Sequence, residues 1–252
     1  MLVRSRGLGD VYKRQDQALA SPVDVLGAET EGMIGYLIEQ ELGNVISAPN
    51  RIATLLTQVE VDASDPAFRK PSKPIGPLYG SKEATALAEK HGWVMVPDGS
   101  HFRRAVPSPQ PKRILEIGVI RLLIEHDVTV ICTGGGGIPV VKRKDGSYAG
   151  VEAVIDKDHA SGLLAREIDA DALLMLTDVD GVYLGWGTAQ QRRLESVKPG
   201  ELMSYAFAAG SMGPKARAAG DFVSCGGKMA GIGRLEDALG ILNRSAGTHI
   251  VA

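Results

Sequence analysis

The sequence predicts an α/β fold, built on a mainly parallel sheet covered by helices on both faces. Three observations predict it. Short apolar runs rich in β-branched residues alternate with amphipathic stretches of helical period, the pattern of strands joined by crossover helices. Unusual loops follow the apolar runs, Gly134–Gly137 after residues 128–132 and Thr177–Gly181 after residues 172–176, and ligands of parallel sheets gather at the carboxyl ends of strands. The composition is that of a globular chain, with 252 residues, 44% hydrophobic and 23% charged, enough for one large α/β domain or one domain with a small appendage.

Each element follows in order. Residues 31–42 place Met33, Ile34, Leu37, Ile38 and Leu42 at helical spacing, with Gly43 as the stop. Residues 52–61 read as a strand. Residues 62–109 turn rich in proline and glycine around one short helical stretch, 81–90, and read as an excursion or small subdomain. Residues 111–125 predict a helix with Pro111 in its first turn and Ile114, Leu115, Ile117, Ile120, Leu123 and Ile124 on one face. Strands are expected at 128–132, 151–155, 172–176 and 248–251, and helices at 159–168, 214–223 and 235–242.

Composition also excludes functions. Net charge is −2, from 28 basic and 30 acidic residues, so there is no field to hold a nucleic acid backbone or an anionic membrane. The apolar runs are far shorter than a bilayer span. Two cysteines, Cys132 and Cys225, do not make a disulfide framework, and a cytoplasmic location fits them. A small-molecule substrate is the expectation. Residues 1–15 carry Arg4, Arg6, Lys13 and Arg14 with neither an apolar period nor the apolar core of a secretory signal. They resemble translated adapter sequence and are expected to stand outside the fold.

Four loops carry the chemistry. Gly134, Gly135, Gly136 and Gly137 allow positive φ and let backbone N–H groups approach an anion, although a flexible surface turn explains a glycine run as well. The spacing is not that of a dinucleotide fingerprint, and Ile138-Pro139 does not open a helix. Asp156-Lys157-Asp158 precedes a helix that Asp158 can cap. Lys157 sits badly near a positive helix end unless an anion is bound there. Thr177 and Asp178 suit a ribose, a metal-bound phosphate or a simple turn. Ser211-Met212-Gly213-Pro214-Lys215 repeats the anomaly, with Pro214 at the first helical position and Lys215 in the first turn. Two such lysines beside glycines favour a triphosphate site. No Cys/His spacing for zinc and no Gly-x-Ser-x-Gly motif is present. Trp93 and Trp186 read as packing or loop residues.

These motifs, together with Val23–Glu29, Gly32–Tyr36, Lys73–Pro77 and Val106–Pro109, resemble those of the carbamate kinases of the amino acid kinase family, in order from about Ala18 to the end. The resemblance implies a three-layer α/β/α sandwich, with residues 62–105 as a small subdomain over the active site, and a homodimer. It implies phosphoryl transfer between ATP and carbamate, giving ADP and carbamoyl phosphate with Mg²⁺, run toward ATP in arginine breakdown. Lys73 would reach the transferring phosphoryl. Lys157 and Lys215 would neutralise charge and bind ATP phosphates, and Asp158 would orient one of them. The glycines 134–137 would form the carbamate side. Asp156, Thr177, Asp178, Tyr183, Ser211, Met212, Gly213 and Pro214 would border the nucleotide. A strand ending in Gly-Gly-Asn and another ending in His-Gly-Asn-Gly-Pro, expected in the family, are not found in these residues. A polypeptide without them is expected to be poorly stable and nearly inactive. Two readings stay open beside this one: a family member with another acceptor, and a chain that binds nucleotide without turnover.

Overall fold

The computed structural model describes residues 21–46, 51–207 and 210–252. The stretch 1–15, read as extraneous, lies outside the described residues. The chain divides into two compact units, Met1–Lys157 and Asp158–Ala252.

The first unit opens with α1 (Val23–Val45). It is longer than the predicted 31–42 and runs through Gly43, because one helical glycine costs only about 1 kcal/mol and the C-terminal turn still closes, Ile46 N–H on the Leu42 carbonyl. Asp24 in its first turn complements the positive helix end. Its buried face is Val23, Leu26, Thr30, Glu31 and Gly35, whereas Met33, Leu37 and Ile38 are exposed. Gly35 is needed there, since a Cβ would stand 2.2 Å from Thr54 Cγ2.

Next come β1 (Ile52–Thr54), β2 (Gln58–Val61), β3 (Lys73–Tyr79), α2 (Ser81–His91), β4 (Val94–Asp98), β5 (His101–Val106) and β6 (Pro111–Ile114). They are followed by α3 (Ile117–Glu125), β7 (Thr129–Ile131), β8 (Ile138–Lys142) and β9 (Tyr148–Gly150). The predicted strand 52–61 is two strands in two sheets: β1 runs parallel to β7, while β2 lies between β6 and β8. The predicted helix 111–125 starts only at Ile117. Its first residues are captured by β2 as an antiparallel strand, and the Glu116 carboxylate accepts the Gln58 N–H at 2.8 Å. Residues 151–155 form no strand, and the segment bends at Glu152. The N–H groups of Val151, Ala153 and Val154 go to Pro139, Val151 and Pro107 carbonyls, so no ladder forms. Residues 73–106 make an antiparallel sheet, β3-β5-β4, edged by α2. There Trp93 packs as read, stacked on His91 at 4.8 Å with the Arg104 guanidinium 4.5 Å over its ring.

The second unit contains α4 (Lys157–Glu167), β10 (Ala172–Thr177), β11 (Val182–Leu184), β12 (Arg192–Leu194), β13 (Ser196–Val197) and α5 (Pro199–Ser204). Then follow α6 (Met212–Ser224), β14 (Met229–Arg234), α7 (Ala238–Leu242) and β15 (Thr248–Ile250). α4 takes in Lys157 and Asp158, so Asp158 stands inside the first turn and not before it. The predicted helix 235–242 begins as a 3₁₀ turn. The sheet order is β10-β14-β15-β13, with β10·β14 and β13·β15 parallel and β14·β15 antiparallel. Phe222, Leu202, Ile232, Ile250 and Val182 fill its core. The central strand β14 escapes a pattern reading because two of its residues are glycines. A Cβ on Gly231 would come 2.2 Å from Ile241, and one on Gly233 2.7 Å; α7 lies that close to the sheet.

Candidate active site

In the second unit the starting point is a close helix approach. A Cβ on Gly162 would meet Ala218 Cβ at 3.2 Å, so small residues let α4 and α6 pass near each other. One turn earlier on each helix stand Asp158 and Lys215. Lys215 Nζ donates to both carboxylate oxygens, at 2.9 and 3.2 Å, and both residues are buried. The cation that looked misplaced in a first helical turn is thus matched by Asp158 itself. Lysine in so dry a place is costly unless paired, and the pairing fixes its ammonium in one position.

Lys215 also borders a cavity of about 690 Å³. Thr177 and Asp178 come to it from the end of β10, with the Thr177 hydroxyl donating to Asp178 Oδ1 at 3.1 Å. Ser211 and Met212 come from the start of α6, and the Ser211 side chain makes no capping bond. Tyr183 is fixed by donating its hydroxyl to Asp180 at 2.9 Å, a bond that holds the phenol's pKa above its usual value. Trp186 packs edge-on against Tyr183, centroids 5.1 Å apart, and is 63% exposed. It stands in the turn after β11, as read, and also lines this cavity. Tyr205 and Phe207, which the sequence reading passed over, form another edge-on pair on the wall. This pair and the Tyr183–Trp186 pair come from different loops, so no local pattern could have gathered the four. Flat apolar walls ending at a fixed ammonium suit a ligand with a planar base and an anionic tail. Gly213 and Pro214 lie inside α6 and line a smaller cavity of about 360 Å³ with His159.

In the first unit the four glycines form a tight turn after β7. Thr133 is left-handed, φ +52, and Gly135, Gly136 and Gly137 all have positive φ. A Cβ on Gly136 would lie 2.2 Å from the Ile155 carbonyl oxygen, and one on Gly137 2.5 Å from Val59. Glycine is required at both positions, by conformation and by space. Lys73, on β3, donates to Asp156 Oδ2 at 2.7 Å. Asp156, expected on the nucleotide side, is therefore the partner of Lys73. Lys157 is exposed at the start of α4. Among the described residues no cluster of three or more His, Cys, Asp or Glu could cage a metal, and no helix is long and apolar enough to cross a membrane.

The comparisons with known proteins agree with this chemistry. The profile of the amino acid kinase family matches residues 29–230. The carbamate kinase of Rhizobium meliloti (strain 1021) is 48% identical over 244 residues, covering 96% of this chain and 74% of that protein. The carbamate kinase of Haemophilus influenzae is 50% identical over 229 residues, 91% of this chain and 74% of that one. The solved carbamate kinase of Giardia lamblia bound to AMP-PNP matches with a TM-score of 0.85 at 40% identity, over 96% of this chain and 79% of that chain. The chain belongs to the amino acid kinase family. Its α/β fold with mixed sheets is that family's fold, and the carbamate kinases are the branch that it matches along nearly its whole length.

Proposed function

We propose that the chain is a carbamate kinase, moving a phosphoryl group between ATP and carbamate. The observation that carries this reading is Lys215, buried, held by both oxygens of Asp158 and bordering an aromatic-walled cavity. The 48–50% identity to carbamate kinases supports the choice of acceptor.

Phosphoryl transfer asks little covalent chemistry of the protein. It asks for alignment and for charge neutralisation around the transferring group. In this reading the second unit binds the nucleotide. The base lies among Tyr183, Trp186 and the Tyr205–Phe207 pair, while Thr177, Asp178 and Ser211 supply polar contacts. Lys215 meets the phosphates as a point charge whose position Asp158 sets. Lys73 and the glycine turn of the first unit serve the carbamate side, with Asp156 holding Lys73 between turnovers. Lys157, exposed at the start of α4, is a second cation for phosphate. Mg²⁺ arrives as part of the nucleotide substrate. Mg²⁺ bound this way leans on phosphate oxygens and waters. The reading also implies a cytoplasmic homodimer that works toward ATP in arginine breakdown.

The test is ATP formation from ADP, Mg²⁺ and carbamoyl phosphate, comparing the unsubstituted chain with Lys215→Ala. Whatever turnover the unsubstituted chain shows, Lys215→Ala is expected to lower it about a thousandfold, the scale of losing a preorganised charge contact. ADP binding without turnover in the unsubstituted chain would favour a nucleotide-binding protein instead. Faster turnover with another acyl phosphate would move the acceptor.

A further inference from the structure

Glu31 is a carboxyl in the middle of α1, 2% exposed, and the roles above make no use of it. Its two oxygens face two different backbone groups. The Gly134 N–H donates to Oε1 at 2.9 Å, and the Thr57 N–H donates to Oε2 at 3.2 Å. Thr57 continues the chain of bonds. Its hydroxyl accepts the Thr133 N–H at 2.9 Å and donates to the Leu55 carbonyl at 2.9 Å, and its carbonyl accepts the Ile138 N–H at 2.8 Å. Within the turn, the Gly136 and Gly137 N–H groups donate to the Thr133 and Gly134 carbonyls. Thr133 is a non-glycine residue in the left-handed region, a conformation that persists only where its surroundings over-determine it.

This accounts for nearly every amide of the turn. From Thr133 to Ile138, only the Gly135 N–H has no hydrogen-bond partner among the described residues. Gly135 is exposed, and nothing lies within 4 Å of where its Cβ would be. We propose that Glu31 is a positioning residue for the acceptor: through Gly134 and Thr57 it holds the glycine turn in the shape that leaves the Gly135 N–H to donate to the bound carbamate or carbamoyl group. The inference rests on the carbamate kinase reading and names the donor within it.

The electrostatics agree. Burial pushes the Glu31 carboxyl from its ordinary 4.5 up to about 7, against the pull of the two backbone donors, and Glu116 adds a smaller repulsion. Cys132 faces it from the end of β7 with a thiol raised to about 11, by burial and then by the charge of Glu31. The remaining segments against α1 carry no titratable side chain in Ile52–Thr54, Thr129–Ile131 or the glycine turn, and Lys142 at the end of β8 is exposed. A folded-state pKa above the unfolded value means that protons are taken up on folding. The contribution of Glu31 to stability therefore falls as pH rises from about 4.5 to about 7. Yet the ionised form is the one that accepts both N–H groups, since a protonated carboxyl turns one oxygen into a donor. Stability and turn geometry thus respond to pH in opposite directions.

That opposition supplies the experiment. KM for carbamoyl phosphate and for ADP is measured from pH 6 to pH 8.5 in the unsubstituted chain, Glu31→Gln and Glu31→Leu, with thermal melts of each at pH 8. In the unsubstituted chain KM for carbamoyl phosphate falls as pH rises through about 7. Glu31→Gln keeps one acceptor oxygen and has no such step, with KM raised about three- to tenfold at pH 8 and a melt no lower than its parent's. These changes are on the scale of one ordinary hydrogen bond; Glu31→Leu raises KM further, and neither variant changes KM for ADP. A KM for carbamoyl phosphate within about twofold of the parent's at pH 8 in both variants would overturn the role of Glu31 alone. No turnover in the unsubstituted chain, with no protection of residues 133–138 from amide exchange by carbamoyl phosphate, would overturn the carbamate kinase reading and the inference together.

Discussion

Two lysine–aspartate pairs, one in each unit, use the same chemistry and differ in their access to water. Lys73 and Asp156 meet at 2.7 Å with side chains 36% and 11% exposed. Lys215 and Asp158 meet at 2.9 Å with side chains 11% and 8% exposed. Distance does not distinguish them; solvent does. A pair whose lysine is 36% exposed contributes about 1 kcal/mol or less, because water screens the ammonium and the lysine gives up rotamer freedom. Its ammonium can leave for a ligand at little cost. A buried pair is different. Neither partner can be rehydrated, so each needs the other, and the lysine is held ready in one place. The chain thus carries one mobile cation on a strand of the excursion sheet and one fixed cation on a helix.

The comparison breaks most readily at the buried pair. Lys215→Ala should produce the largest effect on ATP formation, the thousandfold loss given above. Asp158→Ala leaves the Lys215 charge without its carboxylate in a dry site, and should lower unfolding free energy by about 3–5 kcal/mol, read from urea midpoints at constant m-value. A loss below 1 kcal/mol would mean that water reaches Lys215 and that the two pairs are alike.

Lys73→Ala comes next. We expect a rise in KM for carbamoyl phosphate and a drop in turnover of about a hundredfold, with stability changed by less than about 1 kcal/mol. The separation between activity and stability is the point of the test. If Lys73→Ala unfolds the chain as readily as Asp158→Ala, the mobile cation is a structural one.

How much of this the sequence disclosed can be argued from the same residues. Lys215 and the glycine turn stood out because each breaks a local rule, a cation in a first helical turn or glycines where a strand should continue; Asp158 follows the rule, an acid at a helix start. The ordered pairing of strands was only partly legible. Residues 111–114 were joined to the helix because the apolar spacing runs from Ile114 to Ile124 and Pro111 suits a first turn, but Gln58 and Val59 offered a sheet edge, and tertiary pairing overrode local propensity. Conversely β14 hid behind Gly231 and Gly233, which look like turn residues and in fact admit Ile241. The apolar stripe of α1 at Met33, Leu37 and Ile38 marked a helix correctly but not its buried side, which carries Thr30, Glu31 and Gly35. Glu31 was hidden for that reason, since a glutamate in an amphipathic helix reads as solvated until its two backbone donors are seen. The partners Asp156 and Asp158, two residues apart, were assigned to opposite lysines only by the fold.

The smallest effect sharpens the comparison by ligand. Trp186 is 63% exposed and touches Tyr183 edge-on, so its removal should alter stability by no more than about 0.5 kcal/mol. If it stacks on the nucleotide base in the cavity that Lys215 borders, Trp186→Ala gives up about 1–2 kcal/mol of binding, the lower part of the range of one base–aromatic contact. That is about a five- to thirtyfold rise in KM for ADP, with KM for carbamoyl phosphate unchanged. Lys73→Ala should show the reverse pattern, raising KM for carbamoyl phosphate and sparing that for ADP. Initial-rate measurements with each substrate varied in turn decide it. Opposite patterns assign the fixed cation's unit to the nucleotide and the mobile cation's unit to the acceptor. If Trp186→Ala leaves both constants alone, the base is held by the Tyr205–Phe207 pair instead, and those two aromatics become the residues to replace.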